Sequence, residues 1–257
     1  MNDYAYFKLE GHVALVTGAS SGLGEHFAET LANAGCVVGL AARRGDKLRT
    51  VAERIEARGG TAIVLEMDVT DAPTIEAGLE RITQIAGPPT ILVNNAGSAA
   101  PSSFLDAKPD ETEQIFALNQ SGPWQVAQLL CRQLVEAKLG GTIINIASIT
   151  GLRTLGGAAS YVVSKAALVQ MTKVMALELA RHDIRANAIA PGYFATDLNR
   201  EFLESDAGQK IIRRVPMRRS GNLEDLDGTL LLLASERSRF MTGSVIPVDG
   251  GHLVSGL

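Results

Sequence analysis

The sequence predicts an α/β fold in three layers, with a doubly wound parallel sheet of about seven strands and helices on both faces. Two observations lead to this prediction. Short runs rich in β-branched residues alternate with longer helical patterns along the chain, and most of the short runs are continuously apolar. A continuously apolar run is typical of a strand that is covered on both faces. The alternation favours right-handed βαβ crossovers, which place successive strands parallel to one another.

The strand candidates are spread over the whole chain, and helical patterns fill the intervals between them. Strands are predicted at 12–17, 36–41, 61–67, 90–96, 142–148, 185–190 and 244–249. Helices are predicted at 22–34, 46–58, 73–86, 110–138, 158–181 and 222–235. No low-complexity tract, internal repeat or evident linker separates these elements, and α/β chains of this length are routinely one domain. We therefore predict a single domain over residues 1–257.

The helix predicted at 158–181 is apolar on more than one face. Such a pattern predicts packing on the sheet and also against a partner subunit. A helix that is fully buried inside a monomer would show the same pattern, so both interpretations stay open.

The composition limits the classes of function. Hydrophobic residues make up 46% of the chain, charged residues 20%, and the net charge is −4, which suits a soluble protein without the basic surface of a nucleic-acid binder. The N-terminal residues contain no apolar signal-peptide core, and no apolar run approaches the roughly 18 residues needed to span a bilayer. The two cysteines, Cys36 and Cys131, and the four histidines form no metal-binding spacing. We expect a cytoplasmic protein with no metal, no nucleic acid and no membrane contact.

A glycine-rich loop, "TGASSGLG", follows the first predicted strand and opens the first predicted helix. Gly18, Gly22 and Gly24 permit a tight turn and a close approach of the backbone to a pyrophosphate, which the helix N-terminus would also attract. Glycines also occur in turns with no ligand, but this position in an α/β chain favours a dinucleotide site. The predicted contacts of the loop also include Ser20, Ser21 and Leu23.

The end of the second strand distinguishes the two nicotinamide cofactors. An NAD site usually has an acidic residue there for the ribose 2′-hydroxyl, whereas an NADP site needs a cation for the 2′-phosphate. Here Ala42 stands where the acid is expected, and Arg43 and Arg44 follow it. The arginine fork suits a phosphate. The pair could also be solvated arginines at a helix start, but the missing acid favours NADP(H) over NAD(H).

A tyrosine and a lysine stand four residues apart in "YVVSK", so Tyr161 and Lys165 share one face of the predicted helix. By itself this spacing also fits two solvent-facing side chains. Other motifs accompany the pair and the glycine loop along the chain. They are "NNAG" at 94–97, Asn119 in "ALNQSG", Ser148 thirteen residues before Tyr161, "PGYFAT" at 191–196 and "PVDGG" at 247–251. With all of these motifs in this order, the chain resembles the short-chain dehydrogenase/reductase family in its compact, single-domain Rossmann branch.

The resemblance implies a catalytic set of Asn119, Ser148, Tyr161 and Lys165. Tyr161 would donate a proton to the carbonyl oxygen of a ketone or aldehyde, and Ser148 would hydrogen-bond the same oxygen. Lys165 would hold the nicotinamide ribose and lower the pKa of Tyr161, because a nearby ammonium favours the phenolate. Asn119 would support a water-mediated proton path to Lys165.

The resemblance also implies the rest of the cofactor site. Asp68 and Val69 would lie against the adenine, Asn95 would line the cofactor groove, and Thr196 would lie near the carboxamide. The full set of cofactor residues beyond the loop is Arg43, Arg44, Asp68, Val69, Asn95, Ala96, Gly97, Tyr161, Lys165, Pro191, Gly192 and Thr196.

The substrate region is expected after the fourth and fifth strands and in a lid at about 192–220. Its candidate residues form an apolar set that suits a hydrophobic ketone or aldehyde, although some of them could simply pack the lid. They are Ala99, Leu152, Leu155, Tyr193, Phe194, Leu198 and Phe202. Four arginines in "RRVPMRRS", at 213–220, could meet the phosphates of a thioester carrier, but a solvated face or a subunit contact is the favoured interpretation.

Several functions remain open beside an NADPH-dependent carbonyl reductase. A 3-oxoacyl-thioester reductase is the main alternative, although acyl-carrier-protein reductases of the family tend to have arginines where Leu139 and Leu177 stand here. A non-catalytic dinucleotide sensor usually lacks a member of the catalytic set, and this chain keeps all four. A nucleotide-sugar epimerase generally has a longer substrate region after the Tyr/Lys pair, and a purely structural protein needs no glycine loop. The resemblance further implies a homotetramer, with a dimer as the alternative.

Overall fold

The structure is a computed structural model that describes residues 7–196 and 200–255, without the side chains at 200 and 202. Seven parallel strands form one sheet in the order β3-β2-β1-β4-β5-β6-β7. Their bounds are β1 Val13–Thr17, β2 Val37–Ala42, β3 Thr61–Glu66, β4 Ile91–Asn94, β5 Gly141–Ile146, β6 Ile184–Pro191 and β7 Val245–Val248. Each predicted strand is present, and the predicted doubly wound sheet is confirmed.

Helices cover both faces of the sheet. Their bounds are α1 Gly22–Asn33, α2 Gly45–Ala57, α3 Ala72–Ala86, α4 Pro109–Phe116, α5 Gly122–Glu136, α6 Ala159–Leu179, α7 Arg200–Glu204, α8 Asp206–Ile212 and α9 Asp227–Ala234. Side chains of α1, α2 and α9 form the core on one face. Those of α3, α5 and α6 form the core on the other face. The strands are therefore buried on both sides, which explains their continuous apolar runs.

Two predicted helices differ from the observed ones. The helix predicted at 110–138 is interrupted by a π-helical turn, Ala117–Ser121, which separates α4 from α5. Such turns are frequent at functional sites because they redirect side chains, and here the turn carries Asn119. The helix predicted at 222–235 begins as a 3₁₀ turn, Leu223–Leu226, ahead of α9.

The strand order places a ligand site at one edge of the sheet. The chain reverses its direction of winding between β1 and β4, and ligands of such sheets bind beyond the carboxyl ends of the strands at this point. The glycine loop follows β1, and the "NNAG" segment begins at the last residue of β4. The fold thereby brings both segments together.

Candidate active site

The glycine loop fits closely against the segment after β4. Gly18 has a φ of +68°, and a Cβ at this position would lie 2.9 Å from the Cα of Ala96. A Cβ at Gly24 would overlap the carbonyl oxygen of Gly18. Neither position has space for a side chain, and Gly18 also needs the positive φ that glycine adopts most readily. Both positions therefore require glycine.

Thr17 and Asn95 hold this contact together. The Thr17 hydroxyl accepts hydrogen bonds from the backbone N–H groups of Asn95 and Ala96, at 3.0 and 3.1 Å. The Asn95 amide donates in return to the carbonyl oxygen of Thr17 at 3.0 Å. These bonds take Asn95 and Ala96 out of the sheet ladder, which explains why β4 ends before the predicted residue 96. Asn95 therefore positions the loop.

The N-terminus of α1 is open to an anion. Its N-cap residue, Ser21, makes no side-chain capping bond. The first N–H groups of a helix then remain available for phosphate oxygens. A Cβ on Gly22 would lie 3.6 Å from Cγ2 of Thr196, so the segment after β6 reaches this loop. The loop and Thr196 thus flank one groove, as a bound dinucleotide requires.

The residues after β2 form a cationic pocket with the glycine loop. Arg44 donates hydrogen bonds to the hydroxyl oxygens of Ser20 at 2.8 Å and Ser21 at 3.0 Å. Arg43 lies 3.9 Å from a carboxylate oxygen of Asp68. Ala42, the last residue of β2, supplies no charge. A guanidinium beside two hydroxyls suits a phosphate monoester, so the pocket fits the 2′-phosphate of NADP(H).

Asp68 and Val69 lie at the end of β3, beside this pocket. Burial raises the pKa of Asp68, but hydrogen bonds from Thr70 and the charge of Arg43 outweigh burial and leave the pKa below its ordinary value. Val69 is buried against Gly122, at the start of α5. The carboxylate therefore stays ionised at neutral pH.

The predicted catalytic residues converge at the carboxyl ends of β4 and β5. Tyr161, in the first turn of α6, lies near Ser148, whose hydroxyl acts to lower the pKa of the tyrosine. Ser148 follows β5 and also accepts hydrogen bonds from the N–H and hydroxyl of Thr150, at 3.1 and 2.9 Å. These two bonds fix the Ser148 hydroxyl oxygen beside the tyrosine.

Lys165 lies one turn further along α6 and is buried. Its Nζ donates a hydrogen bond to the carbonyl oxygen of Ile146 at 2.8 Å and lies 5.7 Å from the centroid of the Tyr161 ring. A Cβ on Gly97 would be 3.5 Å from the same Nζ atom, so the backbone after β4 passes close to the ammonium. Burial lowers the pKa of Lys165 to about 8.

Asn119 is fully buried in the π-helical turn and clamps the segment after β4. Its Oδ1 accepts from the N–H of Ser98 at 2.9 Å, and its Nδ2 donates to the carbonyl oxygen of the same residue at 2.8 Å. Nδ2 also donates to the Ser164 hydroxyl at 3.0 Å, and that hydroxyl donates to the carbonyl oxygen of Tyr161 at 2.7 Å. Asn119 therefore connects the loop after β4 to the start of α6.

Burial outweighs the expected effect of Lys165 on the pKa of Tyr161. Burial raises the pKa of Tyr161, the hydrogen bond from Ser148 lowers it, and Tyr193 raises it further, with a net shift above the ordinary value. The predicted net lowering of this pKa was wrong for the chain alone, because burial outweighs the groups that favour the phenolate. A raised pKa keeps Tyr161 protonated, as a general acid must be.

The candidate substrate residues divide into two groups. Leu152 and Leu155 are 43% and 47% exposed in the loop after β5, and Ala99 is exposed after β4. Phe194 is 4% exposed, and a Cβ on Gly221 would overlap its ring, so Phe194 packs the lid and does not face a substrate. The predicted residue Leu198 and the side chain of Phe202 lie outside the described part of the chain.

Tyr193, just after β6, contacts the C-terminal turn. Its ring contacts that of His252, with centroids 5.6 Å apart. A cavity of about 150 Å³ lies beside it, lined also by Val215, Met217 and Asp249. Of the other predicted residues of this segment, Pro191 is the last residue of β6 and Gly192 follows it. The Gly192 N–H donates a hydrogen bond to the carbonyl oxygen of Val248 at 2.9 Å.

Some site residues have no counterpart in the predictions. Thr17, Ser98 and Ser164 hold the catalytic and cofactor segments by the hydrogen bonds described above. Ser164 lies inside "YVVSK", directly before Lys165, and a serine in an otherwise apolar helix is a signal that could have identified it. His252 gives no such signal, because only the folded chain brings the C-terminal turn to Tyr193.

Two general features of the described residues bear on the class of protein. Within residues 7–196 and 200–255, no group of three or more His, Cys, Asp or Glu side chains could hold a metal ion. In the same ranges, no helix is long and apolar enough to cross a membrane.

The fold and the groove define a dinucleotide-binding oxidoreductase. A family model described as enoyl-(acyl carrier protein) reductase matches residues 18–252. The chain is 35% identical to a 3-oxoacyl-[acyl-carrier-protein] reductase of Aquifex aeolicus, over 95% of this chain and 98% of that one. It is 34% identical to a 5-keto-D-gluconate 5-reductase of Escherichia coli, over 99% of this chain and 100% of that one.

A solved structure extends the comparison. A gluconate 5-dehydrogenase from Burkholderia cenocepacia, in complex with NADP and tartrate, is 33% identical and superposes with a TM-score of 0.93 over 98% of this chain and 99% of that one. The chain belongs to the short-chain dehydrogenase/reductase family. The predicted family is confirmed, and these relatives agree with the prediction of an NADP-dependent enzyme that acts on CH–OH groups.

Proposed function

We propose that the chain reduces the carbonyl group of a ketone or aldehyde with NADPH and oxidises the corresponding alcohol in the reverse direction. The observation that carries this proposal is the position of the Lys165 ammonium, 5.7 Å from the centroid of the Tyr161 ring, with the Ser148 hydroxyl near the same tyrosine. Two hydroxyls side by side can bind one carbonyl oxygen, and a buried cation behind them favours negative charge there.

The cofactor fits the chain's own residues. The glycine loop and the N-terminus of α1 would bind the pyrophosphate, and Arg44 with Ser20 and Ser21 would bind the 2′-phosphate. Gly97 and Thr196 would flank the nicotinamide end. When bound, NADPH supplies the hydride. A solved relative that holds NADP supports the same cofactor.

The catalytic residues have distinct tasks in this proposal. Tyr161, which burial keeps protonated, donates its hydroxyl proton to the substrate oxygen. Ser148 donates a hydrogen bond to that oxygen as negative charge develops. Lys165 then stabilises the phenolate of Tyr161, because an ammonium in a buried site is weakly screened.

Asn119 has a positioning task. It ties Ser98, after β4, to Ser164, before Lys165, by bonds of 2.8 to 3.0 Å. It thereby fixes the wall of the nicotinamide groove relative to the catalytic helix. Both the amide oxygen and the amide nitrogen of Asn119 take part in this clamp. Asn119 would therefore position the site in addition to supporting the predicted proton path.

A 3-oxoacyl-thioester reductase is the second candidate, supported by the similarity to an acyl-carrier-protein reductase. Leu139 and Leu177, however, are 39% and 83% exposed where a carrier-binding enzyme of the family would present arginines. Exposed leucines do not attract an acidic carrier protein. A dinucleotide sensor is disfavoured because the four catalytic residues are all present and lie around one site.

We also infer a cytoplasmic homotetramer. Trp124 on α5 and Val163 and Leu177 on α6 are 47%, 55% and 83% exposed, and large apolar side chains on adjacent helices favour a covered surface. Light scattering should give four times the chain mass. A monomer mass would contradict the assembly without affecting the proposed reaction.

The experiment that tests the reaction is NADPH and NADH oxidation, followed by absorbance, over ketones, aldehydes and 3-oxoacyl-CoA esters. We expect turnover with NADPH, and a loss of at least about a hundredfold in Tyr161→Phe with NADPH binding retained. Tyr4→Phe, at a tyrosine remote in sequence from the motifs, is the matched control. Turnover that is unchanged in Tyr161→Phe would overturn the assignment.

A further inference from the structure

The hydroxyl of Ser148 is held by the residue two positions further along the chain. Ser148 is the N-cap of a 3₁₀ turn, Ile149–Gly151. Its Oγ atom accepts a hydrogen bond from the backbone N–H of Thr150 at 3.1 Å, and it lies 2.9 Å from the Oγ1 atom of Thr150, with which it forms a second hydrogen bond. A single residue, Thr150, therefore supplies both of these bonds to the catalytic serine.

The turn that carries Thr150 packs directly on the catalytic helix. The Gly151 N–H donates a hydrogen bond to the carbonyl oxygen of Ser148 at 3.0 Å, which closes the turn. A Cβ on Gly151 would lie 2.7 Å from the carbonyl carbon and oxygen of Lys165, so the backbones of the turn and of α6 are in contact. The two hydroxyl groups therefore lie on an element whose position relative to α6 is fixed by backbone packing.

The direction of the bond between the two hydroxyls decides what Ser148 can do. A serine hydroxyl has one proton to donate and two lone pairs that accept. The Thr150 N–H can only donate, so it occupies one lone pair of Ser148. If the Thr150 hydroxyl also donates, both lone pairs are occupied and the Ser148 proton is available to a substrate oxygen. If Ser148 donates instead, its only proton is directed to Thr150 and cannot reach the substrate.

The surroundings favour donation by Thr150. Within residues 7–196 and 200–255, the Ser148 oxygen is the acceptor that the Thr150 hydroxyl reaches, and no second one is found. The Ser148 proton has another acceptor, because the Ser148 hydroxyl acts to lower the pKa of Tyr161, which is the effect of a donor to the phenolate oxygen. Donation from Thr150 to Ser148, and from Ser148 outward, therefore gives each of the two protons one acceptor.

We propose that Thr150 is a positioning residue that keeps the Ser148 hydroxyl a donor to the carbonyl oxygen of the substrate. With both of its lone pairs occupied, Ser148 cannot accept the proton of Tyr161, so that proton is also directed to the substrate oxygen. The two lone pairs of a carbonyl oxygen then receive two donors, Ser148 and Tyr161. This inference rests on the proposed carbonyl reduction, and it adds a fifth residue to the four that the sequence predicts.

Single and double variants test this role by steady-state kinetics with NADPH. Thr150→Val keeps the shape of the side chain and removes the hydroxyl, whereas Thr150→Ser keeps the hydroxyl. Ser148→Ala removes the group through which Thr150 acts, and it is measured alone and combined with Thr150→Val. Thr50→Val is the matched control, because the Thr50 hydroxyl is on an exposed residue of α2 and bonds the carbonyl oxygen of Asp46 in its own helix at 3.4 Å.

We expect Thr150→Val to lower kcat by about tenfold, and Ser148→Ala by about a hundredfold, with KM for the carbonyl substrate nearly unchanged in both. Thr150→Ser and Thr50→Val should keep kcat near the wild-type value. In the Ser148→Ala background, Thr150→Val should cause no further loss, because residues that act as a unit are not additive.

Two kinetic results would overturn the proposal. An equal loss from Thr150→Val in the wild-type and Ser148→Ala backgrounds would show that Thr150 only supports the fold. A kcat in Thr150→Val that is equal to the wild-type value or higher would show that the Thr150 hydroxyl does not hold Ser148 as a donor.

Neutron diffraction separates this inference from the proposed reaction, because it locates hydroxyl deuterons in the perdeuterated wild-type protein without any substrate. We expect the Thr150 deuteron between the two hydroxyl oxygens and the Ser148 deuteron directed away from Thr150. This arrangement would support the donor role of Ser148 even if no carbonyl compound were turned over, and only the proposed reaction would then fail. A Ser148 deuteron between the two oxygens would overturn the inference whatever the outcome of the rate assays.

Discussion

The Nζ atom of Lys165 donates a 2.8 Å hydrogen bond to the carbonyl oxygen of Ile146, the last residue of β5. This bond joins the catalytic helix to the strand that leads to Ser148. It also leaves the ammonium buried beside the Tyr161 ring without a carboxylate partner among the described residues. A buried cation of this kind is costly, and burial lowers the pKa of Lys165 to about 8.

The first prediction concerns the pH dependence of reduction. Lys165 loses its positive charge as the pH rises through about 8. The phenolate that forms on Tyr161 is then no longer stabilised, while the raised pKa of Tyr161 keeps that group protonated. We expect kcat/KM for carbonyl reduction to fall above pH 8, by up to about tenfold per pH unit.

Two lysine variants test the assignment of this pH dependence. Lys165→Met should lose most of the activity and also the fall in kcat/KM above pH 8. Lys173→Met, at an exposed lysine on the same helix, should change neither the activity nor its pH dependence. A flat profile between pH 7 and 10 in the wild-type enzyme would contradict the role of Lys165.

The second prediction concerns stability. The pKa of Lys165 falls from 10.5 to about 8 on folding, so between these values the unfolded chain binds a proton that the native chain has released. The free energy of unfolding contributed by this group therefore rises with pH across that window, by about 1.4 kcal/mol per pH unit at most. Below pH 8 both states are protonated and the slope disappears. Urea unfolding at pH 7.5, 8.5 and 9.5 should show the wild-type enzyme gaining stability relative to Lys165→Met. A difference that does not change with pH would show that Lys165 keeps its ordinary pKa.

The sequence predicted the sheet and the order of the site segments because these depend on local signals. Continuous apolar runs identified the strands, and glycines at Gly18 and Gly24 marked positions where a Cβ has no space. The π-helical turn at Asn119 could not be predicted, since its formation depends on bonds to Ser98 and Ser164 from other elements. The pKa of Tyr161 was predicted in the wrong direction because sequence spacing gives the neighbouring charge but not the burial. The contact of His252 with Tyr193 joins two distant segments, and no pattern in either one indicates it.

The third prediction concerns the clamp at Asn119. Asn119→Ala removes the three hydrogen bonds to Ser98 and Ser164 and leaves their polar groups unpaired in a buried site. We expect the variant to lose about 2–4 kcal/mol of unfolding free energy and at least about tenfold in kcat, because the groove wall and the catalytic helix are no longer held together. Denaturant unfolding and steady-state kinetics measure the two effects.

Gln120→Ala is the control for this clamp, since it changes the next residue of the same π-helical turn. It should cost less than about 1 kcal/mol and leave kcat near the wild-type value. If Asn119→Ala were as stable and as active as Gln120→Ala, the turn would have no part in positioning the site.

The last prediction concerns the choice between NADPH and NADH. Ala42 leaves the end of β2 uncharged, and Arg44 lies on the hydroxyls of Ser20 and Ser21. Ala42→Asp places a carboxylate where the 2′-phosphate of NADPH would bind, and the two negative charges repel. The same carboxylate could accept a hydrogen bond from the ribose 2′-hydroxyl of NADH. Arg44→Met removes the phosphate-binding cation. We expect each change to raise KM for NADPH by about tenfold or more, and the double variant to prefer NADH.

Arg49→Met is the control, at an exposed arginine of α2 that pairs with Glu66 at 3.3 Å. It should leave the KM values for NADPH and for NADH unchanged. KM values for NADPH that stay at the wild-type level in Arg44→Met would show that this arginine does not bind the 2′-phosphate, and Arg43 would then have to be tested in its place.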